Sequence, residues 1–214
     1  MKIYKMPYFK NNKINLLFIH IPKTGGSSVE KYFSVKFNIP LNKKSLMSTE
    51  DIREYSDKPE INSSLQHLYF NTIIKYKDFF KLDTNGMTIL AVVRNPYHKV
   101  LSDLFYLKKI TIESSQEEVY YNILIYVKEG YDNHNTPQYK FITDENDKLI
   151  ENIILLHTEN LNEEMKKLGY KDFNIKMNMN PNTVDYDKYL NIHSINLINE
   201  VYEKDFELLK YIKK

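Results

Sequence analysis

The residues best suited to chemistry begin with a short run of glycine, hydroxyl and cationic side chains: Pro22, Lys23, Thr24, Gly25, Gly26, Ser27 and Ser28. Two of the chain's five glycines are adjacent there, and without Cβ atoms the backbone can approach an anion closely. Lys23 adds a mobile positive charge, and the hydroxyls of Thr24, Ser27 and Ser28 add donors. The pattern fits a cradle for a terminal phosphate or sulfate; the plainer alternative is a glycine turn beside a solvated lysine. A Walker A loop carries its lysine after the last glycine, directly before Ser or Thr. Here Lys23 precedes the glycines, which weakens an ordinary ATPase or kinase reading. A second cationic point, Arg94, is followed by Asn95 and Pro96, with Ser102 about two helical turns further on. Arg and Ser together can clamp a second phosphate; an arginine paired with a carboxylate beside a solvated serine is the alternative.

Transfer of a group to a hydroxyl needs a base near neutral pH, and histidine is the usual one. Of the six histidines, His20, His98, His157 and His193 read as structural from their places in or beside expected strands and helices. His67, between Gln66 and Leu68, lies between the two phosphate-type motifs and is the candidate base, against a hydrogen-bonded histidine at a strand edge. His134 and Gln138 frame a second segment, His-Asn-Thr-Pro-Gln, whose plain reading is a helix-start turn. No two histidines stand at helical ligand spacing with a third ligand nearby, so no metal is expected. The lack of cysteine excludes disulfides, thiolate metal sites and a Cys nucleophile.

These residues need elements to hold them. Residues 16–21 form a continuous apolar run typical of a buried parallel strand. After the glycines, Val29, Tyr32, Phe33 and Phe37 recur at helical spacing. Strand, glycine turn and helix together present free backbone N–H groups to an anion. Residues 88–93 repeat the pattern, with Asn95 suited to the N-cap and Pro96 to the first helical position before Val100, Leu101, Leu104 and Phe105. A third strand over 153–156 leads to a helix over 161–168, stopped by Gly169. The alternation predicts an α/β fold, a P-loop-like parallel sheet flanked by helices. Further core-facing helices are expected over 117–128, stopped by Gly130, and over 195–212, with a polar loop at 178–187. No linker divides the chain, so residues 1–214 read as one domain.

Composition sets the outer limits. With 42% hydrophobic and 27% charged residues the chain is a folded, soluble type. Thirty Lys+Arg against 28 Asp+Glu give a net charge of +2, too balanced for nucleic-acid binding by bulk counterion release. The apolar stretch at 16–21 is too short for a membrane span or a signal-peptide core, so a cytoplasmic protein without a membrane segment is expected. The eighteen Tyr and eleven Phe are scattered and name no ligand.

Residues 18–28 resemble the 5′-phosphosulfate loop of sulfotransferases, in the carbohydrate-type branch that includes the heparan and chondroitin enzymes. Residues 93–102 resemble that family's 3′-phosphate segment, and the two motifs stand in the family's order. The likeness extends more weakly to the third strand, to the sequence around His134, and to residues 202–206. It implies 3′-phosphoadenosine 5′-phosphosulfate (PAPS) as sulfuryl donor to a hydroxyl or amine, adenosine 3′,5′-bisphosphate (PAP) as product, no metal, and a glycan or small hydroxylated acceptor. Lys23, Thr24, Gly25, Gly26, Ser27 and Ser28 would then hold the 5′ end and Arg94 with Ser102 the 3′-phosphate. Lys23 and His67 would be catalytic, and His134 and Gln138 would contact the substrates. An aromatic residue often follows the family's second histidine, where this chain has Asn135. Golgi members carry an amino-terminal anchor, so a catalytic domain trimmed of one is the alternative to a cytoplasmic enzyme. Rival readings are a P-loop kinase dependent on Mg²⁺ and a catalytically silent PAPS- or glycan-binding module.

Overall fold

The computed structural model describes residues 6–41, 57–174 and 185–214. Four strands form one sheet in the order β1 (Tyr8–Asn11), β2 (Ile14–Ile19), β3 (Thr88–Val93), β4 (Ile154–His157). β1 is antiparallel to β2, while β2, β3 and β4 run parallel. The helices are α1 (Gly26–Lys36), α2 (Phe70–Lys75), α3 (Pro96–Tyr106), α4 (Gln116–Tyr126), α5 (Tyr139–Ile142), α6 (Leu161–Lys167), α7 (Ile192–Val201) and α8 (Glu203–Leu209).

The continuous apolar runs arise because both faces of the sheet are covered. Leu17, Ile19, Ala91 and Val93 pack on Ile73 of α2, Phe141 of α5 and Leu209 of α8. The alternate residues Leu16, Phe18, Leu90 and Val92 pack on Val29 and Phe33 of α1 and Met165 of α6. A third cluster joins α3, α4, α7 and α8 through residues such as Leu101, Leu104, Ile123, Ile198 and Phe206. The α/β architecture with a mostly parallel sheet is therefore as expected. Among the described residues no helix is long and apolar enough to cross a membrane.

Local chemistry sets several boundaries. Asn95 caps α3 by accepting from Tyr97 N at 3.0 Å, with Pro96 in the first turn. Ser115 and Glu118 form a reciprocal capping box on α4. β1 has no counterpart in the sequence expectations: it is only four residues long and is held by an Asn11 side chain that accepts from Lys13 N and Ile14 N at the hairpin. The helix expected over 195–212 is two helices. Tyr202, with φ −109° and ψ 23°, breaks it, and its buried hydroxyl donates to Asn135 O at 2.8 Å. The apolar stripe continues across that break, so periodicity alone hides it. The loop expected at 178–187 lies outside the described residues except for 185–187, which lead into a 3₁₀ turn at Tyr186–Tyr189.

Candidate active site

β2 ends at Ile19, and the chain turns through 20–25 before α1 begins. The two glycines serve different needs. Gly25 has φ +92°, a left-handed conformation that side chains disfavour. At Gly26 a Cβ would fall 2.4 Å from the His20 ring, so the helix can start there only over a bare Cα. His20 is buried beneath it, with Nδ1 2.7 Å from Glu30 Oε1 of α1. Lys23 also has positive φ, at +66°, a strained choice for a non-glycine residue. No side chain caps α1 and its first turn carries no acidic residue, which leaves the positive end of the helix dipole open to an anion. Ser27 is half-buried at that end and Ser28 is buried. Thr24 stands apart from the other hydroxyl residues of the loop. It is fully buried, and its hydroxyl donates to Ile21 O at 2.9 Å, so that hydroxyl staples the turn from within instead of facing a ligand.

Arg94 leaves the end of β3 towards the same loop, its Nη1 donating to Lys23 O at 3.0 Å and its guanidinium 5.3 Å from the Tyr186 ring. Its backbone is gripped from both sides by Gln138: Arg94 N donates to Oε1 at 2.8 Å, and Nε2 donates to Arg94 O at 2.7 Å. Gln138 is itself fully buried, and its backbone N donates to Asp205 at 2.8 Å. The amide of Gln138, expected as a substrate contact, is engaged here in holding Arg94. Asp205 sits so deep that burial pushes its carboxyl up to about 6, against the backbone N–H groups of Gln138 and Tyr139 that favour its charge. Ser102 lies on α3 between His98 and Tyr106, one helical turn from each, along a stripe that is not buried. Thr158, after β4, ties the loops together, with Oγ1 2.5 Å from Thr24 O and 3.0 Å from Val93 O.

The histidines are organised by carboxylates the sequence did not single out. His67 ends a 3₁₀ turn at Leu65–His67, and its Nδ1 lies 2.7 Å from Asp132 Oδ2. Asp132 also accepts from Ser64 N at 2.6 Å and Ser64 Oγ at 2.8 Å. Asp132 and Asn133 both have positive φ, +50° and +62°, and Asn133 Nδ2 donates to His67 O at 3.0 Å. The Asp132 carboxylate favours the Nδ1–H tautomer, and among the described residues nothing hydrogen-bonds Nε2. Burial lowers the His67 pKa despite Asp132. Burial acts to raise Asp132, but its bonds to His67 and Ser64 outweigh that and hold it below the usual carboxylate range.

His134 repeats the arrangement. Its Nδ1 is 2.8 Å from Asp103 Oδ1, and Asp103, fully buried, accepts from Tyr126 Oη at 2.6 Å. Lys99, also fully buried, donates to His134 O at 2.6 Å. Ring centroids link His20 to His67 at 5.3 Å, His67 to His134 at 5.1 Å and His134 to Tyr106 at 6.0 Å. Lys23 Nζ closes the row, 3.8 Å from the Tyr106 centroid. Burial, with Arg94 and Lys99 nearby and Asp103 opposing, brings the Lys23 ammonium down to about 8. Sequence spacing thus missed Asp103, Asp132 and Lys99; the Asp132–Asn133 pair, a composition that tolerates left-handed backbone, was the one local signal.

His67, Asp132 and His134 also form a cluster whose candidate ligand atoms lie within 4.8 Å of one another, a grouping that linear spacing did not disclose. A cation bound through His67 Nδ1 would displace the His67–Asp132 hydrogen bond. As arranged, the carboxylates stand behind the imidazoles and support proton transfer.

A sequence model of the sulfotransferase family matches residues 6–148, from ahead of β1 to beyond α5, and the span includes Lys23, His67, Asp103, Asp132 and His134. No curated protein and no solved structure gives a significant match. With the larger part of its length covered, and an anion-type loop joined to carboxylate-backed histidines within that part, the chain belongs to the sulfotransferase family, whose reaction is sulfuryl transfer.

Proposed function

We propose that the protein transfers the sulfuryl group of PAPS to a hydroxyl, with a carbohydrate as the acceptor class. The observation that carries this reading is the unbroken row from the anion loop to the base: Lys23 on Tyr106, Tyr106 on His134, His134 on His67. The uncapped end of α1, the bare Cα of Gly26 and the nearby Lys23 and Arg94 fit a nucleotide with two phosphate ends. Lys23 and the backbone of Gly25, Gly26, Ser27 and Ser28 would hold the 5′ end, and Arg94 with Ser102 the 3′-phosphate. When bound, PAPS supplies the sulfuryl group and leaves as PAP.

His67 takes the acceptor proton on Nε2, and Asp132 stabilises the resulting imidazolium. Lys23 and the α1 dipole stabilise negative charge on the departing phosphate. In this division of charge the cationic work falls to side chains and backbone, without a metal. The carbohydrate preference is supported by Tyr131, exposed, whose ring lies 6.2 Å from that of His134; such a face suits the C–H side of a sugar ring. The same reading takes residues 1–214 as one domain acting in the cytoplasm.

The test is a screen of labelled PAPS against glycans, small alcohols, phenols and tyrosine peptides, run with and without EDTA. Carbohydrate product formed at an undiminished rate in EDTA is expected. Transfer from ATP that requires Mg²⁺ would favour a kinase, and PAP binding with no turnover on any acceptor would favour a binding module.

A further inference from the structure

The ammonium of Lys23 has an unusual partner. Among the described residues it forms no ion pair or hydrogen bond, and its contact is the face of Tyr106 at 3.8 Å. Tyr106 ends α3 and is 53% exposed, so core packing does not dictate where its ring lies. The ring is aligned instead by His134, stacked within 14° of parallel, and the His134 ring is anchored on Asp103, three residues before Tyr106 on the same helix. At the other end, the Lys23 backbone is held by its left-handed φ and by Arg94 on its carbonyl. Both ends of the Lys23–Tyr106 contact are therefore fixed by neighbours.

We propose that Tyr106 is a positioning residue for Lys23: its ring face holds the ammonium beside the anion loop until a nucleotide phosphate takes it. An aromatic face suits that task better than a carboxylate. It attracts a cation more weakly than a phosphate does, so it can release the lysine, and it carries no net negative charge to repel the incoming anion. The Tyr106 hydroxyl has no part in the contact, so phenylalanine should serve equally well. The proposal rests on the sulfotransferase reading for the identity of the anion, while the resting contact stands apart from it.

The test uses protein labelled with [ε-¹³C]lysine, with the Lys23 signal assigned by its loss in Lys23→Arg. In wild type and Tyr106→Phe, the Lys23 ε-protons should resonate upfield of the other lysines because they lie over a ring. Tyr106→Leu should abolish that shift, and saturating PAP should abolish it in wild type. In turnover, Tyr106→Phe should stay within about twofold of wild type while Tyr106→Leu raises the KM for PAPS about tenfold with kcat little changed. An upfield signal that persists in Tyr106→Leu overturns the proposal. So does one that stays in place when calorimetry shows PAP bound, or a Tyr106→Leu enzyme with an unchanged KM for PAPS. If PAP does not bind to wild type at all, the nucleotide reading falls, and the Tyr106→Leu spectrum alone decides the role of Tyr106.

Discussion

The anion loop and the histidine row are built in opposite ways. The loop is local: seven consecutive residues, 22–28, carry its charge, its hydroxyls and its two glycines, with left-handed backbone at Lys23 and Gly25. The row is assembled from distant segments, His67 meeting Asp132 across 65 positions and His134 meeting Asp103 across 31. A local site is specified by backbone conformation, and a dispersed one by the fold that brings its parts together. Binding and chemistry should therefore separate under mutation, except where the two regions touch.

The sharpest separation is expected at His67. His67→Ala should leave PAP affinity nearly unchanged while lowering kcat roughly a hundredfold to ten-thousandfold, the usual range for a positioned base. Because burial lowers the His67 pKa, the wild-type acid limb of kcat/KM should fall below the ordinary histidine value of about 6.5: the base is lost only once the pH is low enough to protonate it. An opposing limb should appear near 8, where the Lys23 ammonium gives up its proton. The variant should lose the acid limb and keep the alkaline one. A variant with wild-type rate and both limbs would move the base to His134.

Arg94→Ala should act in the other direction, on binding. Loss of a charge-assisted phosphate contact should weaken PAP by about 1.5–3 kcal/mol in calorimetry, with ATP binding more weakly than PAP to the wild type. Equal affinities for PAP in variant and wild type would remove Arg94 from the site. Part of the loss should come through Lys23, whose carbonyl Arg94 holds at 3.0 Å, so Arg94→Lys should recover charge without recovering full affinity.

Gly26 is where the two regions touch. A Cβ there would meet Cδ2, Nε2 and Cγ of His20 at 2.4 to 2.9 Å, and the His20 ring lies 5.3 Å from that of His67. Gly26→Ala should lower stability by about 1–3 kcal/mol, as overpacking does, and should impair both PAP binding and turnover. An unchanged denaturation midpoint would show that His20 yields freely and that the regions are independent there.

This contrast also explains what the sequence disclosed. β2, β3 and the glycine loop were legible because apolar runs, adjacent glycines and an Asn-Pro helix start are local signals. His67 and His134 were legible as residue types, but their carboxylate partners were not, since nothing near Asp103 or Asp132 in the chain points to a histidine 31 or 65 positions away. The grip of Gln138 on Arg94 was hidden for the same reason: the two stand 44 positions apart. Tyr202 escaped notice because the helical stripe runs through the break it makes.

The smallest effect is expected at Thr24, and it tests whether every hydroxyl in the loop serves the ligand. Its Oγ1 donates inward to Ile21 O at 2.9 Å, and the side chain is wholly enclosed. Thr24→Val keeps the shape and removes that bond, leaving the Ile21 carbonyl without this donor. Stability should drop by about 0.5–1.5 kcal/mol, the net worth of one hydrogen bond, read as a lower denaturation midpoint with an unchanged slope. PAP affinity should stay within about twofold of wild type, because the removed group contributes no donor to the nucleotide. If the variant is as stable as wild type but binds PAP tenfold more weakly, Thr24 turns outward when the nucleotide arrives, and the inward staple is then a feature of the ligand-free loop alone.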